Sequence, residues 1–310
     1  MAIGFVFPGQ GSQVVGMGKD LVEFSSAAAD VFKSADQALG ESLSEACFNG
    51  PAETLTLTAN TQPAVLTVSI AALSAFREKC GIQPSMVAGH SLGEYSALVA
   101  ADAMDFMDAV KVTRARGSFM QDAVPAGQGS MSAILGSTLE VVQDACEKAA
   151  QDQIVAPANL NAPGQTVISG HSEAVERAGG IIRERGGAKV VPLKVSAPFH
   201  CALMQPTAEQ LAGVLNEVEF RIPKMPVVCN VNARAETEPE KLRQMLVDQV
   251  TSPVRWEQSI RFMVKNGIDY FIEFGPGRVL AGLIKRIAKG VPVTSVGDVK
   301  SLEKTVSEFC

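Results

Sequence analysis

Short apolar runs alternate along this chain with longer stretches in which apolar residues recur every three or four positions. Ile3–Phe7, Ser85–Ala88, Val227–Val231, Asp269–Phe274 and Val293–Val296 are of the first kind and read as strands. Leu21–Leu39, Leu43–Cys47, Pro63–Cys80, Tyr95–Ala101, Asp105–Val124, Cys201–Asn216, Pro239–Val250, Glu257–Asn266 and Arg278–Ala288 read as helices, with a last helix closing the chain. Strands alternating with helices predict an α/β fold built on a parallel, helix-flanked sheet.

The texture changes after the flexible joint Pro125–Gly129. Ser130–Leu135 reads as a strand, Thr138–Gln151 as a helix, Ile154–Leu160 and Gln165–Ser169 as strands, Glu173–Arg185 as a helix and Ala188–Val195 as a strand. The order β-α-β-β-α-β is that of a ferredoxin-like unit. A large domain of residues 1–126 and 197–310 interrupted by a small inserted domain at 127–196 is therefore expected.

Composition narrows the class. The chain has 310 residues, 46% hydrophobic and 19% charged, and a net charge of −6, which speaks against a general nucleic-acid surface. No apolar run reaches the length of a membrane span, and Met1–Phe7 lacks the basic flank of a signal peptide, so a cytoplasmic protein is expected. The six cysteines form no zinc or redox spacing and read as reduced, mostly structural thiols. No metal site is expected.

The chemistry concentrates at Gly89-His90-Ser91-Leu92-Gly93-Glu94, which lies between an apolar strand and a helix. Gly-x-Ser-x-Gly in that setting is a nucleophile elbow, a tight turn that lifts the serine hydroxyl above the sheet. The Leu92 amide and the helix dipole would then face negative charge developing beside Ser91. The loop Pro8-Gly9-Gln10-Gly11-Ser12-Gln13 completes neither a phosphate loop nor a dinucleotide fingerprint. It is either a plain turn or the source of a second oxyanion amide, from Gln10.

A serine nucleophile needs a base, and only His90, His171 and His200 exist. His90 adjoins Ser91 and should point away from its hydroxyl; His171 lies in the insertion, where a capping or surface role is the plainer reading. His200 remains, downstream of the serine and at the return to the large domain; a core histidine is the alternative. Asp248 or a backbone carbonyl near Gln249 would hold its other nitrogen. Cys201 beside His200 raises a Cys–His pair, which neighbouring side chains pointing apart disfavour. Arg116 borders the apolar stripe of its helix, where an arginine ordinarily reaches out to solvent.

Taken together, the segments Phe7–Gln13, Gly89–Tyr95, Arg116-Gly117-x-x-Met120-Gln121, Ser196–His200, Pro253-Val254-Arg255-Trp256 and Gly275-Pro276-Gly277 resemble the malonyl-CoA:acyl-carrier-protein transacylases, in order and over the whole chain. The resemblance implies an α/β-hydrolase-like domain with an inserted ferredoxin-like one. It also implies malonyl transfer to acyl carrier protein in fatty-acid synthesis, through Ser91 and His200 and without a cofactor. It places the oxyanion amides on Gln10 and Leu92, the carboxylate-binding arginine on Arg116 and the histidine-orienting carbonyl at Gln249. Met120 and Phe199 fall in the acyl pocket. Malonyl-CoA and an acyl carrier protein are the expected partners of a monomer, with no nucleic acid or membrane. An acidic carrier would need a basic patch, either Arg183, Arg185, Lys189 and Lys194 or Lys285, Arg286 and Lys289. A serine thioesterase or acyl hydrolase on a related scaffold is the competing reading.

Overall fold

The computed structural model describes every residue except Ala126, Lys194 and Ser196. The chain opens with β1 (Ile3–Phe7), whose five residues are all buried, and then α1 (Lys19–Phe24) and α2 (Ser26–Leu39). The single helix expected over Leu21–Leu39 is thus two. Ser25 ends the first and caps the second, its hydroxyl accepting from Ala28 N–H. Next come α3 (Leu43–Asn49), the short α4 (Ala52–Thr56) and α5 (Thr58–Lys79). The last begins five residues ahead of Pro63, and α4 carries too little apolar periodicity to be visible in the sequence.

The elbow strand β2 (Met86–Gly89) leads into α6 (Gly93–Ala100) and α7 (Phe106–Asp122). The insertion follows as β3 (Gly129–Leu135), α8 (Leu139–Ala150), β4 (Val155–Ala162), β5 (Gln165–His171), α9 (Ser172–Glu184) and β6 (Lys189–Pro192). A 3-10 turn at Ala202–Met204 precedes α10 (Gln205–Asn216), where an uninterrupted helix from Cys201 was expected. The chain finishes with β7 (Val227–Val228), β8 (Ala235–Glu236), α11 (Pro239–Gln249), α12 (Trp256–Lys265), β9 (Tyr270–Phe274), α13 (Val279–Ile287), β10 (Val293–Val296) and α14 (Val299–Phe309).

Six strands form the main sheet in the order β10-β9-β1-β2-β7-β8. All its pairings are parallel except β7 with β8, an antiparallel edge of two residue pairs that the sequence reading did not contain. The insertion forms a separate antiparallel sheet, β4-β5-β3-β6, the strand order of a ferredoxin-like fold. Helices α8 and α9 cover that sheet through Val142, Ala145, Val175, Ala178 and Ile182.

Parallel pairing aligns the carboxyl ends of β1, β2 and β7, the edge where ligand loops gather in such sheets. Phe7 stands level with Gly89, so the Gln10 loop and the Ser91 turn leave neighbouring strands side by side. The insertion is stitched over this edge by Leu160 N–H to Val254 O and Val254 N–H to Ala158 O, both 2.8 Å.

Two of the cysteines expected to be reduced are instead bonded to each other. Cys80 and Cys310 form a disulfide with Cα atoms 5.9 Å apart, joining the end of α5 to the chain terminus. A separation of 230 residues hides such a pair from spacing rules. Cys47, Cys146, Cys201 and Cys229 are free and buried.

Candidate active site

Two close approaches build the elbow. A Cβ on Gly89 would lie 1.8 Å from Gly93 O, and one on Gly9 2.5 Å from His90 O. Only glycine lets the turn close on itself and lets the Gln10 loop reach it. Ser91 sits at φ 52°, a left-handed conformation rare for a residue with a side chain. Asn230, just beyond β7, holds that conformation. Its Oδ1 accepts from Ser91 N–H at 2.7 Å and its Nδ2 donates to Gly89 O at 2.7 Å.

Ser91 Oγ lies 2.8 Å from His200 Nε2 although 109 residues separate them. His200 Nδ1 lies 2.9 Å from Gln249 O. A carbonyl only accepts, so Nδ1 carries the proton and Nε2 presents a lone pair to the serine. Of the two expected partners for Nδ1 it is therefore the Gln249 carbonyl; Asp248 Oδ1 accepts from Gln244 instead. Burial, with the Arg116 charge, depresses the His200 pKa to about 3, so the ring is neutral at physiological pH.

The other two histidines are occupied elsewhere. His90 Nε2 meets Asn161 Oδ1 at 2.8 Å, and His171 Nδ1 accepts from Ile154 N–H at 2.9 Å. Cys201 Sγ points to Pro198 O at 3.2 Å, and burial raises its pKa, so it forms no thiolate pair with His200.

Arg116 does not reach solvent. It is 1% exposed, and its helix turns it inward over the Tyr95 ring, 5.6 Å from the centroid. Its Nη1 donates to Gln62 Oε1 at 2.7 Å, and its Nη2 to Gln249 Oε1 at 2.9 Å and to Ser91 Oγ at 3.2 Å. Its Nε is buried and has no partner among the described residues.

These groups border a cavity of about 990 Å³. Gln10, Ser91, Leu92, Arg116, Met120, Phe199 and His200 all line it, and the insertion adds Met131, Asn159, Leu193 and Val195 as a facing wall. Gln249 stands behind the wall. The backbone N–H groups of Gln10 and Leu92 are engaged by no described residue, and Leu92 is the N-cap of α6.

Gln62, Glu94 and Asn230 escaped the sequence reading as parts of the site. Gln62 lies in the mostly polar first turns of α5, just before Pro63, and Asn230 follows a buried strand at the functional edge. Asn230 is visible as a polar interruption of an apolar run, whereas Gln62 sits among other polar residues, and nothing in a one-dimensional pattern says which cavity either faces. Of the two basic patches, Arg185 is paired with Asp144, Arg286 donates to Gln165 and to Pro163 O, and Lys194 lies outside the described residues.

The class to which this fold belongs is the acyl transferase domain, whose family model matches residues 4–308. Among relatives, the malonyl CoA-acyl carrier protein transacylase of Bacillus subtilis is 48% identical over 305 residues, covering 98% of this chain and 96% of that protein. Among solved structures, an acyl carrier protein S-malonyltransferase from Vibrio cholerae superposes with a TM-score of 0.96 at 47% identity, covering 98% of this chain and 100% of the other. A malonyl-transacylase in complex with its type II PKS acyl-carrier protein superposes with a TM-score of 0.97 at 45% identity, covering 99% and 100%. The chain belongs to the malonyl CoA-acyl carrier protein transacylase family.

Among the described residues, no helix is long and apolar enough to cross a membrane, and no group of three or more His, Cys, Asp or Glu side chains is placed to hold a metal ion.

Proposed function

We propose that this chain transfers malonyl from malonyl-CoA to the phosphopantetheine thiol of an acyl carrier protein through a malonyl-Ser91 intermediate, supplying fatty-acid synthesis. The observation that carries the reading is one oxygen with two neighbours: Ser91 Oγ is 2.8 Å from a neutral imidazole nitrogen and 3.2 Å from a buried guanidinium.

His200 Nε2 takes the serine proton as Oγ attacks the thioester carbonyl. The Gln10 and Leu92 amides receive the oxyanion, each such donor contributing roughly 3 kcal/mol to the transition state. The C–S bond breaks, His200 returns the proton to the departing CoA sulfur, and malonyl remains on Ser91. Arg116 holds the free carboxylate in paired hydrogen bonds. The carrier thiol then gives its proton to His200, attacks the ester and leaves with malonyl, and Ser91 recovers its proton. Met120 and Phe199 form the apolar side of the acyl pocket.

The same reading divides the chain into a catalytic domain of residues 1–126 and 197–310 and an inserted domain of 127–196, which supplies the facing wall. A cytoplasmic location and a monomeric state are proposed with it on the resemblance alone.

Because the base is already neutral well below pH 6.5, malonyl loading should not fall as the pH drops from about 8 to about 5. An ordinary imidazole would impose an acid limb near 6.5. A stopped-flow pH profile of acyl-enzyme formation checks this.

Hydrolysis uses the same serine and histidine with water as acceptor. The test is to incubate enzyme with malonyl-CoA, with and without carrier protein. Transfer predicts free CoA limited to one equivalent per enzyme until carrier is added; steady release of malonate without carrier would make the chain a hydrolase.

A further inference from the structure

Among the described residues, Arg116 is buried with no carboxylate in hydrogen-bond contact, an unusual state for a fixed charge. Its partners are the neutral carbonyl oxygens of Gln62 and Gln249 and the Ser91 hydroxyl. A carboxylate does stand close by, one side chain further back. Glu94, 1% exposed and absent from the cavity wall, accepts from Gln249 Nε2 at 2.9 Å and from Asn230 N–H at 2.9 Å. The Gln249 amide therefore lies between the two charges, with its oxygen on Arg116 and its nitrogen on Glu94. That nitrogen also donates to Ser91 O at 3.1 Å, which fixes the amide in this sense.

We propose that Glu94 is the resident counter-charge of Arg116, set behind Gln249 so that it compensates the guanidinium without occupying the face that receives the substrate carboxylate. A carboxylate in direct contact would fill that face and compete with malonyl. Held at one remove, it offsets the buried cation in the empty enzyme and repels the incoming anion only weakly. The malonyl group is then gripped firmly enough to be selected and loosely enough to be passed on. Glu94 thus tunes specificity through Arg116 and touches no reacting atom. The inference rests on Arg116 being the carboxylate clamp.

Protonation of Glu94 is linked to the same event. Burial pushes its carboxyl up to about 7, against the pull of Asn230, Gln249 and Arg116. The other ionisable groups facing it are Tyr95 and Cys229, both raised further by burial, and Arg116, which stays protonated. A second anion at Arg116 weakens the field that keeps Glu94 ionised, so malonyl binding favours its protonated form. Malonyl is therefore held more tightly as the pH falls through about 7.

The readout is the ratio of kcat/KM for malonyl-CoA to that for acetyl-CoA in acyl-enzyme formation, in which effects on His200 cancel. In the unaltered enzyme the ratio is expected to rise as the pH falls through about 7. Glu94→Gln keeps a carbonyl oxygen for Asn230 and Gln249. It is expected to raise the ratio at pH 8 by roughly three- to tenfold, through a lower KM, and to flatten its pH dependence. Exchanging the two side chains, Glu94→Gln with Gln249→Glu, conserves buried charge but brings the carboxylate onto Arg116, and should cut malonyl loading far more than acetyl loading. A pH-independent ratio in the unaltered enzyme, or parallel changes for both substrates in Glu94→Gln, would overturn the proposal. If Arg116→Ala itself fails to separate malonyl from acetyl, the clamp reading falls instead.

Discussion

His200→Ala is expected to slow malonyl loading of Ser91 by on the order of 10⁴-fold, with KM for malonyl-CoA little changed. The ring contributes only once the serine proton begins to move, so its loss falls on the transition state and not on ground-state binding. The magnitude follows from what remains: oxyanion amides and a positioned substrate still give a residual rate well above that in water. Burst kinetics with malonyl-CoA measure both quantities. A rise in KM with an unchanged burst rate would make His200 a binding group and leave Ser91 without its base.

Arg116→Ala is expected to lower kcat/KM for malonyl-CoA by about 10²- to 10³-fold. That corresponds to the roughly 3–4 kcal/mol lost when one partner of a buried, hydrogen-bonded charge pair is removed. Acetyl-CoA, which has no carboxylate, should lose far less. Its loss will not be nil, because Arg116 also donates to Ser91 Oγ and holds Gln62 and Gln249. Lysine should not restore selectivity, since an ammonium cannot span Gln62, Gln249 and a carboxylate with one planar fork. Competition between the two acyl-CoAs, followed by the mass of the acyl-enzyme, reads the ratio directly; equal losses for both would remove Arg116 from carboxylate recognition.

Much of this architecture was legible in the sequence because single residue types carried it. Glycines at 9, 89 and 93 mark backbone contacts that no side chain permits, so the elbow and its neighbouring loop announce themselves. The β-α-β-β-α-β run of the insertion announces a ferredoxin-like unit through its element order, although only β4 and β5 pair as sequence neighbours and β3 pairs with β5 and β6. Arg116 shows where local pattern fails. Its position beside an apolar stripe implied solvent, whereas it is among the largest fully buried side chains. Its polar partners come from α5 and α11, 54 and 133 residues away, and from the elbow. Glu94 and Asn230 were silent for the same reason: their meaning is a set of contacts between strand ends brought together by parallel pairing. The Cys80–Cys310 bond and the two-residue β8 edge are likewise products of tertiary proximity and leave no periodic trace.

A covalent malonyl group carried by one serine is the central expectation. Intact-mass analysis of the enzyme mixed with malonyl-CoA, followed by peptide mapping, tests it most directly. The prediction is a single malonyl addition, located on Ser91, absent from Ser91→Ala and discharged when carrier protein is added. An unmodified enzyme that still transfers malonyl, or an adduct on Cys201 or any other side chain, would contradict it.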